Sequence, residues 1–176
     1  GSPCGAIAGL NHGGMILRCS VTGQVSGIED VGGLVGTHWD ASIVDCRAEV
    51  RVVGEESVGG MVGGGPGGTL IGCEIQVEVS GERYVGGLVG QSHDGQILEC
   101  RAIGTVIGVD IVGGLIGNSD ETMIWISSAD CDVIAERTAG GLAGRAVWGS
   151  GTSIVDCYTR GSVAGSIVGG LAGETQ

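Results

Sequence analysis

Aromatic residues are nearly absent from this chain. Its 176 residues include no Phe, three Trp and two Tyr. Basic residues are also few, because eight Lys plus Arg stand against twenty Asp plus Glu, which gives a formal net charge of −12. Nucleic acids need a basic footprint, and anionic membrane surfaces attract basic segments. We therefore expect neither of them as a partner.

Long hydrophobic runs are missing as well. No apolar segment approaches the roughly 18 residues of a membrane span, so we expect no membrane insertion. Glycine, by contrast, is abundant, with 39 residues. Globular domains average about 7% Gly, and glycine at this density would destabilise helices. Because 42% of the residues are hydrophobic, we expect a collapsed core rather than a disordered chain.

A glycine pair recurs along the whole chain. The pairs begin at Gly32, Gly59, Gly86, Gly113, Gly140 and Gly169. The first four intervals are 27 residues, the last is 29, and Gly5 lies one interval before Gly32. Apolar residues recur at the same interval, and positions one repeat apart are called a column below. The column of Ile16, for example, continues with Ile43, Leu70, Ile97 and Ile124. The chain thus contains six repeats and the start of a seventh.

Within a repeat, apolar and charged side chains alternate. The even positions from Cys46 to Val52 are apolar, whereas Arg47, Glu49 and Arg51 are charged. This period of two indicates a β-strand. A short unit that cannot bury its own apolar face must stack on its neighbours. We therefore predict an all-β fold, a right-handed parallel β-solenoid of about six 27-residue coils, with neighbouring coils about 4.8 Å apart.

The whole chain, residues 1–176, is predicted to form one solenoid domain. Free solenoid ends usually carry atypical capping units, and neither end of this repeat shows one. We therefore expect a fragment of a longer repeat-bearing chain, and we consider end-to-end self-association as a further interaction.

Cysteine follows the repeat. One column holds Cys19, Cys46, Cys73, Cys100 and Cys157. Residues stacked about 4.8 Å apart exceed the Cβ separation of about 3.5–4.5 Å that disulfides prefer. The first four would span roughly 14 Å, too far for one zinc ion. We predict a structural ladder of buried free thiols that act as small hydrophobic side chains.

Metal binding has weak support in the sequence. His12 and His93 share a column but lie three coils apart, whereas His12 and His38 could form a pair with Asp40 as a third ligand. Calcium is a second alternative, at the corner that holds Glu29, Asp30, Glu55, Glu56 and Asp110. Calcium needs six to eight oxygen ligands. We predict no metal and no other cofactor.

Catalysis is not predicted either. Asp40 and Asp94 lie two coils apart, about 10 Å, which exceeds the usual separation of a glycosidase carboxylate pair. The glycine motif lacks the Lys and the following helix of a phosphate loop, and it occurs six times. We predict that the protein is not an enzyme.

The turn between the glycine strand and the isoleucine strand varies most between repeats. Its candidate binding residues are Trp39, Asp40, His93, Asp94 and Trp148. Variable loops on one face are where repeat proteins place recognition, so we predict that a protein or glycan ligand binds there. Trp125 shares a column with Val44 and Leu98, and we predict that it is packed.

The motif VGGLVG at Val31 to Gly36, followed by Ile43-Val44, resembles the GLUG repeat, as does Gly23-Gln24-Val25-Ser26-Gly27. GLUG repeats occur in secreted and surface-anchored bacterial proteins, including immunoglobulin A proteases and adhesin-like chains. The resemblance implies an extracellular or cell-surface location and a non-enzymatic adhesion or binding stalk. A carbohydrate-binding or carbohydrate-active β-helix and a purely structural spacer are the alternatives.

Overall fold

The structure is a computed structural model that describes residues 2–147 and 151–175. These residues form strands and turns, and none of them forms a helix long and apolar enough to cross a membrane. Each coil adds one strand to each of four parallel sheets, called first to fourth in the order in which the chain reaches them. The predicted parallel β-solenoid is confirmed, and its right-handedness stays a prediction.

The first three coils contain four strands each. The first coil contains β1 (Cys4–Gly5), β2 (Ala8–His12), β3 (Met15–Leu17) and β4 (Ser20–Ser26). The second contains β5 (Glu29–Gly32), β6 (Val35–Trp39), β7 (Ser42–Val44) and β8 (Arg47–Val53). The third contains β9 (Glu56–Gly59), β10 (Val62–Gly64), β11 (Thr69–Ile71) and β12 (Glu74–Ser80).

The later coils continue this order. The fourth contains β13 (Arg83–Gly86), β14 (Val89–His93), β15 (Gln96–Leu98) and β16 (Arg101–Gly108). The fifth contains β17 (Ile111–Gly113), β18 (Ile116–Asp120), β19 (Met123–Trp125) and β20 (Ser128–Ala135). The sixth contains β21 (Thr138–Gly140), β22 (Ala143–Val147), β23 (Ser153–Val155), β24 (Tyr158–Arg160) and β25 (Val163–Ala164), and a seventh begins with β26 (Ile167–Gly169) and β27 (Ala172–Thr175).

Neighbouring coils pair in register. Val31 pairs with Val58, which in turn pairs with Val85. The step is one repeat almost everywhere, and it lengthens only where Met123 pairs with Ser153, after the insertion that follows β22. The columns read from the sequence are therefore stacks of neighbouring side chains in the structure.

The core follows from strand alternation. In β8, Ala48, Val50 and Val52 are buried, whereas the charged residues between them are exposed. Inward side chains from all coils form one continuous hydrophobic cluster. Burial of one Val, Leu or Ile side chain stabilises a fold by about 1.5–3 kcal/mol, so the stack gains stability with each coil.

The glycine motif sits where the first sheet turns into the second. One column of this corner holds Gly33, Gly60, Gly87, Gly114, Gly141 and Gly170. A Cβ atom added at Gly33 would lie 2.0 Å from the carbonyl oxygen of Gly60, and one at Gly87 would lie 2.1 Å from that of Gly114. Coils approach so closely here that only glycine fits.

Charged side chains pair across the outer face of the fourth sheet. Arg47 lies 3.6 Å from Glu74, and Arg51 lies 3.6 Å from Glu78. Arg101 was expected in the same charge column as Glu74, but its guanidinium pairs with Asp130 instead. These side chains are largely exposed, so each pair contributes little stability.

Candidate functional site

Four of the five predicted binding residues lie at the turn between the second and third sheets. Trp39 ends β6, His93 ends β14, and Asp40 and Asp94 follow them; these four are called the Trp39 corner below. Asp40 and Asp94 adopt left-handed backbone, with φ of 46° and 53°. Aspartate tolerates this conformation because its short side chain bonds locally. Trp148, the fifth residue, lies outside the described residues.

Trp39 is held but not covered. Its ring centroid lies 5.0 Å from that of His12, with the ring planes at 36°. His12 is its partner in register on the preceding coil. The Trp39 side chain nevertheless remains 47% exposed. A fixed, half-exposed indole can stack on a sugar ring or fill a pocket of a protein partner.

His93 belongs to a second cluster. Two coils, about 10 Å, separate it from Trp39, and Pro66 pairs with His93 on the coil between them. The Nδ1 atom of His93 lies 3.1 Å from Oδ2 of Asp120. The structure therefore brings Trp39 together with Asp40 and His12, and His93 together with Asp120, along one row parallel to the solenoid axis.

The alternative of a metal site at His12, His38 and Asp40 is contradicted. His12 is exposed, whereas His38 is 2% exposed, because successive residues of a strand point to opposite faces. Asn11 Nδ2 lies 3.4 Å from His38 Nδ1, and burial lowers the pKa of His38. Across residues 2–147 and 151–175, no group of three His, Cys, Asp or Glu side chains could hold a metal ion.

The acidic corner, between the fourth and first sheets, contains a chain of ion pairs. Arg83 lies 3.5 Å from Glu56 and 3.8 Å from Asp110. Arg137 lies 2.6 Å from the other oxygen of Asp110. Carboxylates that calcium would need are thus paired with guanidinium groups. Asp30 accepts a hydrogen bond of 2.8 Å from Thr37, and burial raises the pKa of its carboxyl group.

The cysteine column lies between the third and fourth sheets. Cys46, Cys73 and Cys100 are buried, whereas Cys19 and Cys157, nearer the two ends, are half-buried; all are free thiols. The Cys19 N–H donates to Cys46 Sγ at 3.4 Å, and Ser127 accepts similarly from Cys100 at 3.1 Å. Burial raises the pKa of the Cys46 thiol. Protonated thiols are poor nucleophiles and metal ligands, and those described here contact backbone atoms of neighbouring coils.

The prediction for Trp125 is wrong. Trp125 does pair in register with Leu98 and Val155, but its side chain is 41% exposed. Its strand has three residues, and only the middle one, Ile124, points into the core. The alternation of Met123, Ile124 and Trp125 is the sequence signal that marks Trp125 as outward.

The fold and the surface sites define a β-solenoid repeat protein. A family model described as the GLUG motif matches residues 27–53 and 81–107. These two stretches contain β5 to β8 of the second coil and the corresponding strands of the fourth. The resemblance read from the sequence is therefore confirmed, and the chain contains GLUG motifs.

A solved structure shares the fold. It is the "putative immunoglobulin A1 protease from Bacteroides ovatus", with a TM-score of 0.70 and 23% identity. The similarity covers 82% of this chain and 51% of that one, so this chain spans about half of the solved protein. At this identity the similarity shows the fold alone. No curated protein matches the chain.

Proposed function

We propose that the protein is a non-enzymatic extracellular or cell-surface module that serves as an adhesion or binding stalk. The observation that carries this proposal is the in-register stack, in which every coil contributes to one continuous core and leaves its turn residues at the surface. Such a stack is a rigid support for exposed side chains. The GLUG motifs support the location, since the resemblance implies secreted or surface proteins.

The Trp39 corner is the proposed contact surface. Its half-exposed indole, held by His12 and followed by Asp40, combines an apolar platform with a carboxylate that can accept hydroxyl hydrogen bonds. This combination favours a glycan or a polar protein surface as ligand. Trp148 is included in the proposal from its sequence position.

A glycan array, probed with the labelled chain, tests this contact surface. We expect binding that falls about tenfold or more in Trp39→Ala, as is usual for a central aromatic contact. Trp125→Ala is the matched control, because Trp125 is similarly exposed but lies on another face and three coils away. Trp148→Ala tests the residue placed by sequence alone.

The alternatives predict different results. A spacer would bind no glycan and no host-cell surface in any variant. A carbohydrate-active β-helix would release products from a bound polysaccharide, which chromatography of the supernatant would detect. Antibody labelling of intact cells that express the full-length gene tests the location, and labelling only after permeabilisation would contradict it.

A further inference from the structure

The outer face of the third sheet carries a continuous apolar row. Each strand of this sheet has three residues, of which the middle one faces the core and the third faces outward. The third residues stack in register from coil to coil. They are Leu17, Val44, Ile71, Leu98, Trp125 and Val155. Six residues at about 4.8 Å per step form a row roughly 24 Å long.

A second row follows directly beside the first. It consists of the residues that end each strand with a left-handed turn, namely Arg18, Asp45, Gly72, Glu99, Ile126 and Asp156. Gly and Asp suit this backbone, and three of the six residues are acidic. Apolar and acidic side chains thus run in parallel along the solenoid.

Ile126 departs from the pattern of its row. Its φ is 50°, a conformation in which a β-branched side chain crowds the backbone. Its side chain is also 57% exposed, so the strain is not offset by burial in the core. Neither the turn nor the packing of this chain therefore accounts for isoleucine at this position.

Ile126 and Trp125 together form the centre of a surface patch. Trp125 lies between Leu98 and Val155 on the neighbouring coils, and Ile126 lies between Glu99 and Asp156 in its row. These six residues are called the Trp125 patch. An apolar centre with a charged rim is the usual anatomy of a protein–protein contact, and Trp is the residue most enriched at its energetic centre.

The charges indicate which partner suits the patch. Glu99 and Asp156 are exposed, and neither makes an ion pair within residues 2–147 and 151–175. A second copy would bring the same carboxylates and another net charge of −12 to the interface, which is unfavourable. A glycan would gain little from the aliphatic neighbours Leu98, Ile126 and Val155, which offer no hydrogen bonds.

We propose that the Trp125 patch docks a protein partner that presents an apolar side chain flanked by Lys or Arg. The partner's apolar residue packs on Trp125 and Ile126, and its basic residues face Glu99 and Asp156. This surface is separate from the Trp39 corner, so the inference does not depend on the ligand proposed there.

A displayed library of random peptides provides the probe. The library is selected on the folded chain and depleted on Trp125→Ala. We expect enriched peptides with an apolar residue next to Lys or Arg, and binding about tenfold or more weaker to Trp125→Ala and to Ile126→Gly. Ile126→Gly relieves the backbone strain, so its loss of binding cannot be ascribed to unfolding. Glu99→Gln with Asp156→Asn should weaken binding and reduce its salt dependence.

Trp39→Ala is the control and should bind the selected peptides like the unchanged chain. The proposal is overturned if selection yields no Trp125-dependent peptides, or if the peptides lack basic residues. It is also overturned if Trp125→Ala abolishes glycan binding, or if it abolishes a self-association measured by sedimentation, because the patch would then serve a sugar or a second copy.

Discussion

At the scale of single residues, the fold imposes a protonation state on His38. The ring is buried, and its Nε2 atom has no hydrogen-bond partner among the described residues. Burial lowers the pKa of His38 from 6.5, so the folded chain binds a proton there less readily than the unfolded chain. Stability therefore decreases as the pH falls below about 6.5, where the unfolded state takes up the extra proton.

Replacement of His38 should remove this dependence. We expect the free energy of unfolding in urea to decrease between pH 7 and pH 5 in the unchanged chain and to decrease less in His38→Gln. His12→Gln, which alters an exposed histidine, should keep the original dependence. Asp30 shifts in the opposite sense, because its raised pKa favours the folded state at acid pH, but it is common to all three proteins. Equal pH dependence in all three would contradict the assignment to His38.

His38 and Trp125 show what the sequence could and could not predict at this scale. Their columns were correct, because a fixed period places residues without any knowledge of the backbone. The side to which each points was not predicted for Trp125, since apolar residues occupy both faces of its short strand. The sequence also grouped Trp39 with His93, whereas Pro66 lies on the coil between them.

At the scale of strands and turns, the glycine corner sets the distance between coils. The Gly33 N–H lies 3.0 Å from the Gly60 carbonyl oxygen, as the tight stack requires. Ala6 occupies the same column in the first coil, and there the equivalent distance to Gly33 is 3.4 Å. A single methyl group thus accompanies a looser contact even at the edge of the stack.

A methyl group in the middle of the stack should be costly. We expect Gly87→Ala to destabilise the chain by about 1–3 kcal/mol, because its Cβ would meet the Gly114 carbonyl. Gly170→Ala is the matched control, since Gly170 is in the same column but has nothing within 4 Å of an added Cβ. Its effect should stay within about 0.5 kcal/mol. Thermal or urea unfolding measures both, and equal destabilisation would refute the clash between coils.

The strand order itself was accessible from the sequence. Alternation predicted the seven-residue strands of the fourth sheet, such as β8, and the 27-residue period predicted their parallel stacking. The partners of surface charges were less accessible. Arg101 reaches Asp130 rather than Glu74, because long side chains on an open face choose among several neighbours of similar distance.

At the scale of the whole molecule, the core column of Leu34 continues into both outer coils. Leu34, Leu88 and Leu142 are fully buried, whereas Ile7 is 43% exposed and Leu171 is 39% exposed. The same column at both ends offers matching apolar surfaces and unpaired strand edges. We propose that the sixth coil of one copy accepts the first coil of another.

Sedimentation velocity over a range of concentrations tests this end-to-end association. We expect oligomers whose population increases with concentration, and a shift towards monomer in Gly170→Val, whose side chain would stand where the next coil approaches. The unfolding midpoint of this variant should match that of the unchanged chain, since the site is open. Trp125→Ala, on a lateral face, should associate normally. A monomer at every concentration would exclude the proposal.

The identical register of the coils also determines how the length of such a protein can change through gene duplication. Each coil offers its successor the same columns, so gain or loss of one complete repeat would alter the reach of the module by about 4.8 Å and preserve the remaining contacts. Partial insertions are confined to turns: the extra residues before β23 leave Ile124 paired with Ile154 and the core column intact. Lineages can therefore vary the length of the rod in whole coils while each surface patch evolves independently.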